Sequence, residues 1–322
     1  MATEIEAQRA DRANRVTWAL LAALSLVTLC WLPFSTISLA PLSLLFPTAV
    51  GAALTVGARY YAGWRNEPRL SNALDCTGQM VVFLVFGALL SYQVATLGFP
   101  FQDRAFHAAD LSLGLDWLAY LKAVDERPWL GALFTFAYAS FMPQAIVLIT
   151  VLSFSGEGTR IRVVVLAMMI AGLFTILISG FLPAMAMFVH LGLSPADYPN
   201  LNPAASFVHV ADMAGLRSGA PFRLDLMRAE GIITFPSYHA ALGMLLLIGP
   251  ATSRWVRWPF WFLNLTMIAA TPIDGGHYFI DVAAGLGIAV ASYFLARRLI
   301  LGAPPVLHSH GLVAGGEIQA AS

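Results

Sequence analysis

The sequence predicts an all-α, polytopic membrane protein, a bundle of about eight transmembrane helices with one further helix lying at the interface. Three observations carry that expectation. Of 322 residues, 58% are hydrophobic and 11% charged, against roughly 25% charged in a soluble domain. Apolar runs repeatedly approach the ~20 residues that cross a bilayer. None of them alternates with period 2, as the strands of a membrane barrel do.

Residues 1–15 form a polar, arginine-containing segment. The apolar run behind it lacks a small-x-small cleavage site before the next run begins, so it reads as a retained helix rather than a signal peptide. The spans fall at about 16–34, 38–58, 74–97, 129–153, 163–189, 236–251, 256–273 and 277–300, with the sixth and seventh joined by the short loop Thr252–Arg254. Residues 98–128 contain AFHAADLSLGLDWLAYLKAV, apolar at helical spacing, which predicts an amphipathic helix flat on the membrane. Residues 190–235 are rich in proline, glycine and small polar residues. Residues 302–322 show no apolar periodicity and read as a disordered tail. Residues 16–301 therefore form a single transmembrane domain.

Arginine and lysine in the loops set the orientation. With eight spans and a cytoplasmic N-terminus, the inner loops hold twelve basic residues, among them Arg59, Arg65, Arg160, Arg162, Arg257 and Arg297, and the outer loops six. Both termini are then cytoplasmic. The abundance of alanine and the preference for arginine over lysine suggest a GC-rich bacterial source and its inner membrane. Net charge is zero, which gives no basis for a nucleic-acid partner. Cys30 and Cys76 sit near opposite faces of the membrane and predict no disulfide.

Three ionisable residues lie at or inside the ends of spans, where a functional role is the default reading. His239 follows Phe235-Pro236-Ser237-Tyr238 at the start of the sixth helix, and His277 and Asp281 lie four apart in GGHYFIDVAAG at the start of the eighth. That spacing predicts an imidazole–carboxylate hydrogen bond on one helix face. Both helices run inward, so their N-termini share the outer surface, and helix N-termini favour phosphate. Pro236 suits the first helical position. The Gly275-Gly276 pair would let a substrate approach beside His277. His277 is then the expected nucleophile at phosphorus, Asp281 the group that orients its ring, and His239 the proton donor and acceptor. Arg223 and Arg228, on the same side, are candidates for neutralising phosphoryl charge, and Ser237 and Gly276 complete the phosphate-binding set. Two histidines and an aspartate could also ligate zinc, but no fourth ligand at suitable spacing appears, so no metal is expected. Outside this set, His107, His190 and His209 read as facing solvent or headgroups, and Asp110 and Asp116 as the wet side of the interfacial helix.

The segments Phe235–Ala240 and Gly276–Gly285 resemble the second and third signatures of the type-2 phosphatidic acid phosphatase superfamily. The aromatic residue after the second histidine is similar to the inositolphosphorylceramide synthase branch. The resemblance implies the roles given above for His277, His239 and Asp281, a lipid-linked phosphate or phosphodiester donor, a lipid or water acceptor, and no cofactor. There are departures. The first signature is missing: Lys122 and Arg127-Pro128 echo it at the wrong spacing, and Ala270-Thr271 stand where the third signature often begins serine–arginine. The segment around Arg223 is similar to an arginine-containing stretch in the synthase branch. Transfer of a headgroup, with inositol phosphate as one candidate, is the leading expectation. Hydrolysis of a lipid phosphate is the alternative, and a non-catalytic transporter or scaffold a more distant one.

Overall fold

The computed structural model describes residues 2–201, 203–249 and 254–302, and the predicted tail beyond residue 302 and most of the loop before Arg254 lie outside the described residues. The protein is 76% helical with almost no strand. In chain order the described helices are α1 (Ala2–Trp31), α2 (Pro41–Gly63), α3 (Pro68–Ala95), α4 (Asp103–Ser112), α5 (Trp117–Asp125), α6 (Pro128–Ala139) and α7 (Phe141–Phe154). They continue as α8 (Gly158–Phe181), α9 (Met187–His190), α10 (His209–Arg217), α11 (Tyr238–Ile248), α12 (Arg254–Asp274) and α13 (Phe279–Leu301). Two three-residue strands, β1 (Ile37–Leu39) and β2 (Phe222–Leu224), pair in parallel.

Five helices, α1, α2, α3, α8 and α13, are long and apolar enough to cross a membrane, and the bent pair α6–α7 makes a sixth if it counts as one span. The predicted eight are not reproduced by helix length, and the reasons are local. α11 has 11 residues, about 16 Å of helix against ~30 Å of hydrocarbon. The predicted fourth span bends by 52° at Ser140, where the Ser140 hydroxyl bonds back to the Ala137 carbonyl at 2.7 Å and Pro143 brings no N–H to the ladder. The predicted fifth span stops at Phe181 because Pro183 disfavours helical geometry at Leu182. At the N-terminus the polar residues expected to precede the first span instead begin its helix, which runs unbroken from Ala2.

α8 is the central element: 72% of its most apolar stretch is buried, and it packs against α3, α11 and α13. The two ends of the bundle differ. At one end Arg162 pairs with Asp75 at 2.7 Å, Arg160 donates to the Ile248 carbonyl at 3.0 Å, and Thr159 donates to Glu6 at 2.6 Å. This end gathers loops whose arginines set the predicted inner side. At the other end α4, α5, α9 and α10 form a cap, in which α4 packs on α13 and α9, α5 on α6, and α10 on α3. The predicted interfacial helix is thus two helices, divided where Gly114 adopts φ 74° and Asp116 caps α5 by accepting from the Ala119 N–H at 3.0 Å. Trp117 and Leu121 bury one face of α5 in the cap.

α11 and α13 meet backbone to backbone. The Ser237 N–H donates to the Asp281 carbonyl at 3.1 Å, and a Cβ added to Gly285 would fall inside the van der Waals radius of the Ser237 carbonyl oxygen. Gly285→Ala is therefore expected to destabilise the protein by about 1–3 kcal/mol. Gly287→Ala, where nothing lies within 4 Å, should leave stability equal or slightly higher. Thermal denaturation of both variants in detergent checks this, and indistinguishable midpoints would show that the helices do not touch there.

Candidate active site

The site is built on the turn between α12 and α13, residues 274–278. A turn buried in an apolar bundle must have its backbone groups paired, and nearly every partner here comes from the cap. The Trp117 indole N–H points at the carbonyls of His277, at 3.2 Å, and Pro272, at 3.3 Å. The Ser206 hydroxyl lies 3.2 Å from the carbonyls of both Ile273 and Asp274. The Met187 N–H donates to the Gly276 carbonyl at 2.8 Å. At the start of α13, Asp110 accepts from the N–H groups of Phe279 and Ile280 at 2.8 and 2.9 Å, and Asp281 accepts from that of Tyr278 at 2.9 Å. The Tyr278 hydroxyl donates to Asp103 at 2.8 Å, and Asp103 also takes the Met185 N–H at 2.9 Å.

This turn holds His277, 3% exposed, with Nδ1 at 3.3 Å from Asp281 Oδ2. The expected hydrogen bond forms, but not across a helix face. His277 precedes α13, and Asp281 reaches it as the third residue of the first turn while accepting the Tyr278 N–H. The opposite edge of the imidazole faces Gly275: the position of a Cβ there lies 3.0 Å from His277 Nε2 and 2.7 Å from the Tyr138 hydroxyl. Tyr138 in turn lies 3.1 Å from His239 Nδ1, with its ring stacked on the imidazole at 4.2 Å. The two histidines are therefore brought together across Tyr138 and Gly275.

The remaining predicted residues fall in different places. Ser237 is buried and caps α11, accepting from the Ala240 N–H at 3.3 Å. Pro236 sits before that cap, after a cis peptide, rather than at the first helical position. Gly276 adopts φ 65°, and the space a side chain would take is filled by Ser206 and Ala186. Gly276 thus packs the turn against Ser206 and Ala186, while the missing side chain of Gly275 leaves room beside His277 Nε2. Arg223 and Arg228 are exposed: Arg223 lies on β2 opposite Ser38, and Arg228 approaches Asp225 at 4.0 Å. Neither is brought against the histidines. Lys122 is exposed beside Glu126. His209, expected at the surface, is buried with Nε2 at 2.6 Å from the Met185 carbonyl. His107 and His190 pair with each other at 3.2 Å.

Asp110 departs most from expectation. It is fully buried rather than on a wet face, and it occupies the helix N-terminus that the sequence offered to phosphate. Asp103 and Asp110 are seven residues apart on α4, so two acids share one helix face; that spacing was a readable signal of a buried polar role. Tyr138 and Asp274 had no motif around them. Asp274 is 5% exposed, accepts from Thr135 at 2.7 Å, and keeps its second oxygen without a partner among the described residues.

No curated protein and no solved structure matches the chain significantly. The family model described as the PAP2 superfamily matches residues 104–295, from the cap helix α4 into α13. That stretch holds both histidines and the whole turn and covers more than half of the chain, and the protein therefore belongs to the PAP2 superfamily.

Proposed function

We propose that the protein transfers a phosphate-containing headgroup between lipids in two steps through His277. Membership of the superfamily points to phosphatase or phosphotransferase chemistry on lipid phosphates. The observation that carries the finer reading is the pairing of a buried His277 with Asp281 on one side and the Tyr138–His239 pair on the other. In the first step the Nε2 lone pair attacks phosphorus and the bond to the leaving alcohol breaks, while His239 gives that oxygen its proton. In the second step an acceptor hydroxyl passes its proton to His239, its oxygen bonds to phosphorus, and the P–N bond returns its electrons to His277. Asp281 keeps the Nδ1 proton in place and steadies the imidazolium. A lipid acceptor makes this an inositolphosphorylceramide-synthase-like transferase; water as acceptor makes it a lipid phosphatase.

We place the arginine-bearing end in the cytoplasm by the positive-inside rule. The histidines then serve the outer side of the membrane. Arg223 and Arg228 are left out of the chemical steps, since both lie exposed at the rim of the cap.

Labelled phosphatidylinositol and phosphatidic acid, offered to purified protein with and without ceramide and diacylglycerol, test the reading directly. Label should move to an acceptor lipid, and His277→Ala should lower the rate by at least ~10³-fold. His239→Ala should lower it by about 10²–10⁴-fold. Unchanged turnover in His277→Ala would reject the nucleophile. Free phosphate formed whether or not an acceptor lipid is present would make the enzyme a phosphatase.

The positioning role of Asp110 is testable through stability. Asp110→Ala leaves two helix N–H groups buried without partners, a cost of about 1–3 kcal/mol each. A clear drop in the thermal midpoint is expected, with partial recovery in Asp110→Asn.

A further inference from the structure

One polar group of the site takes no part in the two transfer steps. Tyr138, on α6, is half-buried, and its hydroxyl lies 3.1 Å from His239 Nδ1. Its ring stacks on the imidazole with centroids 4.2 Å apart, and Phe141 meets the same imidazole edge to face at 5.0 Å. His239 is thus held by aromatic side chains from the consecutive helices α6 and α7. The Tyr138 hydroxyl also faces Gly275. A Cβ placed on Gly275 would lie 2.7 Å from the phenol oxygen and 3.0 Å from His277 Nε2. One small gap is therefore bordered both by the nitrogen that attacks and by a phenol. Gly275 is only part-buried, so the gap is not sealed.

We propose that Tyr138 is a catalytic residue whose hydroxyl donates to a non-bridging oxygen of the phosphoryl group under attack by His277. The inference rests on the two-step transfer proposed above and adds a residue to it. The hydrogens present fix the direction of the bond. A phenol has one hydrogen to donate and lone pairs with which to accept. Nδ1 is the His239 nitrogen beside Tyr138, so Nε2 is the one that exchanges a proton with the leaving and entering oxygens. Nδ1 then keeps its N–H through both steps and donates it to the phenol oxygen, as a triad histidine donates to the group that orients it. The phenol hydrogen is left for another acceptor, and among the described residues the hydroxyl has no second hydrogen-bond partner. A phosphoryl oxygen comes to the gap beside Gly275 as phosphorus approaches Nε2. Negative charge grows on that oxygen as the N–P bond forms, and a donor already aimed at it in a dry site stabilises the charge. Arg223 and Arg228 stand exposed at the rim, and the first turn of α13 is taken by Asp110 and Asp281. Tyr138 supplies a donor where these do not. The phenol shares its hydrogen and retains it. The leaving oxygen keeps the electron pair of the broken P–O bond and takes its proton from His239 Nε2.

Inorganic vanadate tests the assignment on full-length protein in detergent, because it adopts the five-coordinate geometry of phosphorus in transfer and does not depend on the lipid. Its binding is measured by titration calorimetry on wild type and on Tyr138→Phe, which keeps the stacked ring and removes only the hydroxyl. Tyr138→Phe is expected to bind vanadate about tenfold more weakly. It should also lower kcat for lipid transfer by about 10²-fold with little change in KM, while its thermal midpoint matches wild type. A structural role alone would lower the midpoint and leave the affinity of the folded protein unchanged. A second comparison uses phosphatidylinositol and phosphatidic acid with sulfur at a non-bridging position. Wild type should discriminate against sulfur, a weak hydrogen-bond acceptor, and Tyr138→Phe should lose most of that discrimination. Unchanged vanadate affinity in Tyr138→Phe, equal sulfur discrimination in the two proteins, or no vanadate binding by wild type would overturn the assignment. Binding lost in His277→Ala but kept in full by Tyr138→Phe rejects Tyr138 alone, whereas binding that survives in His277→Ala counts against the nucleophile.

Discussion

Two hydrogen bonds from Asp110 to the first turn of α13 are the constraint on which the rest of the site depends. A helix that begins inside an apolar bundle leaves its first N–H groups without partners, and no water is at hand to take them. One carboxylate from a helix about 170 residues earlier in the chain meets that need, and the favourable end of the helix dipole adds to it. With α13 held at its start, the turn before it is confined by Trp117, Ser206 and Met187, and the imidazole of His277 follows the turn. The cap is therefore not an appendage of the bundle. It is the wall that allows a non-helical turn to exist at this depth.

This arrangement also changes where phosphate charge can be met. The N-terminus of α13 is already filled by carboxylates, and the nearest predicted arginines stand exposed at the rim. Around the histidines the buried carboxyl oxygens Asp281 Oδ1 and Asp274 Oδ2 have no partner among the described residues. Carboxyl oxygens suit hydroxyls and protons rather than anions.

The histidines and Asp281 were legible because each lies within a short segment whose neighbours in sequence are also its neighbours in space. The belt of partners was not, since Asp103, Asp110, Trp117 and Tyr138 reach the turn from separations of more than 100 residues that no local pattern encodes. The bundle was readable from apolar content, but its breaks were not read. A span-length window stays apolar across Phe181-Leu182-Pro183 and across Ser140-Phe141-Met142-Pro143, so averaging hides the prolines, while the backbone turns at both. Arg223 was singled out by its sequence neighbours, and the two-strand pairing that leaves it exposed was not readable from them.

The close approach of Gly285 to the Ser237 carbonyl has a consequence for how such a protein can change over generations. The spacing between the segments that carry His239 and His277 is metered by main chain against main chain, with no side chain in the gap. Lipid-facing residues on the outer sides of the bundle can therefore be exchanged freely to suit membranes of different thickness or fluidity while that spacing stays constant. Adaptation to a new bilayer and preservation of the chemistry become separate problems, and a single glycine keeps them apart.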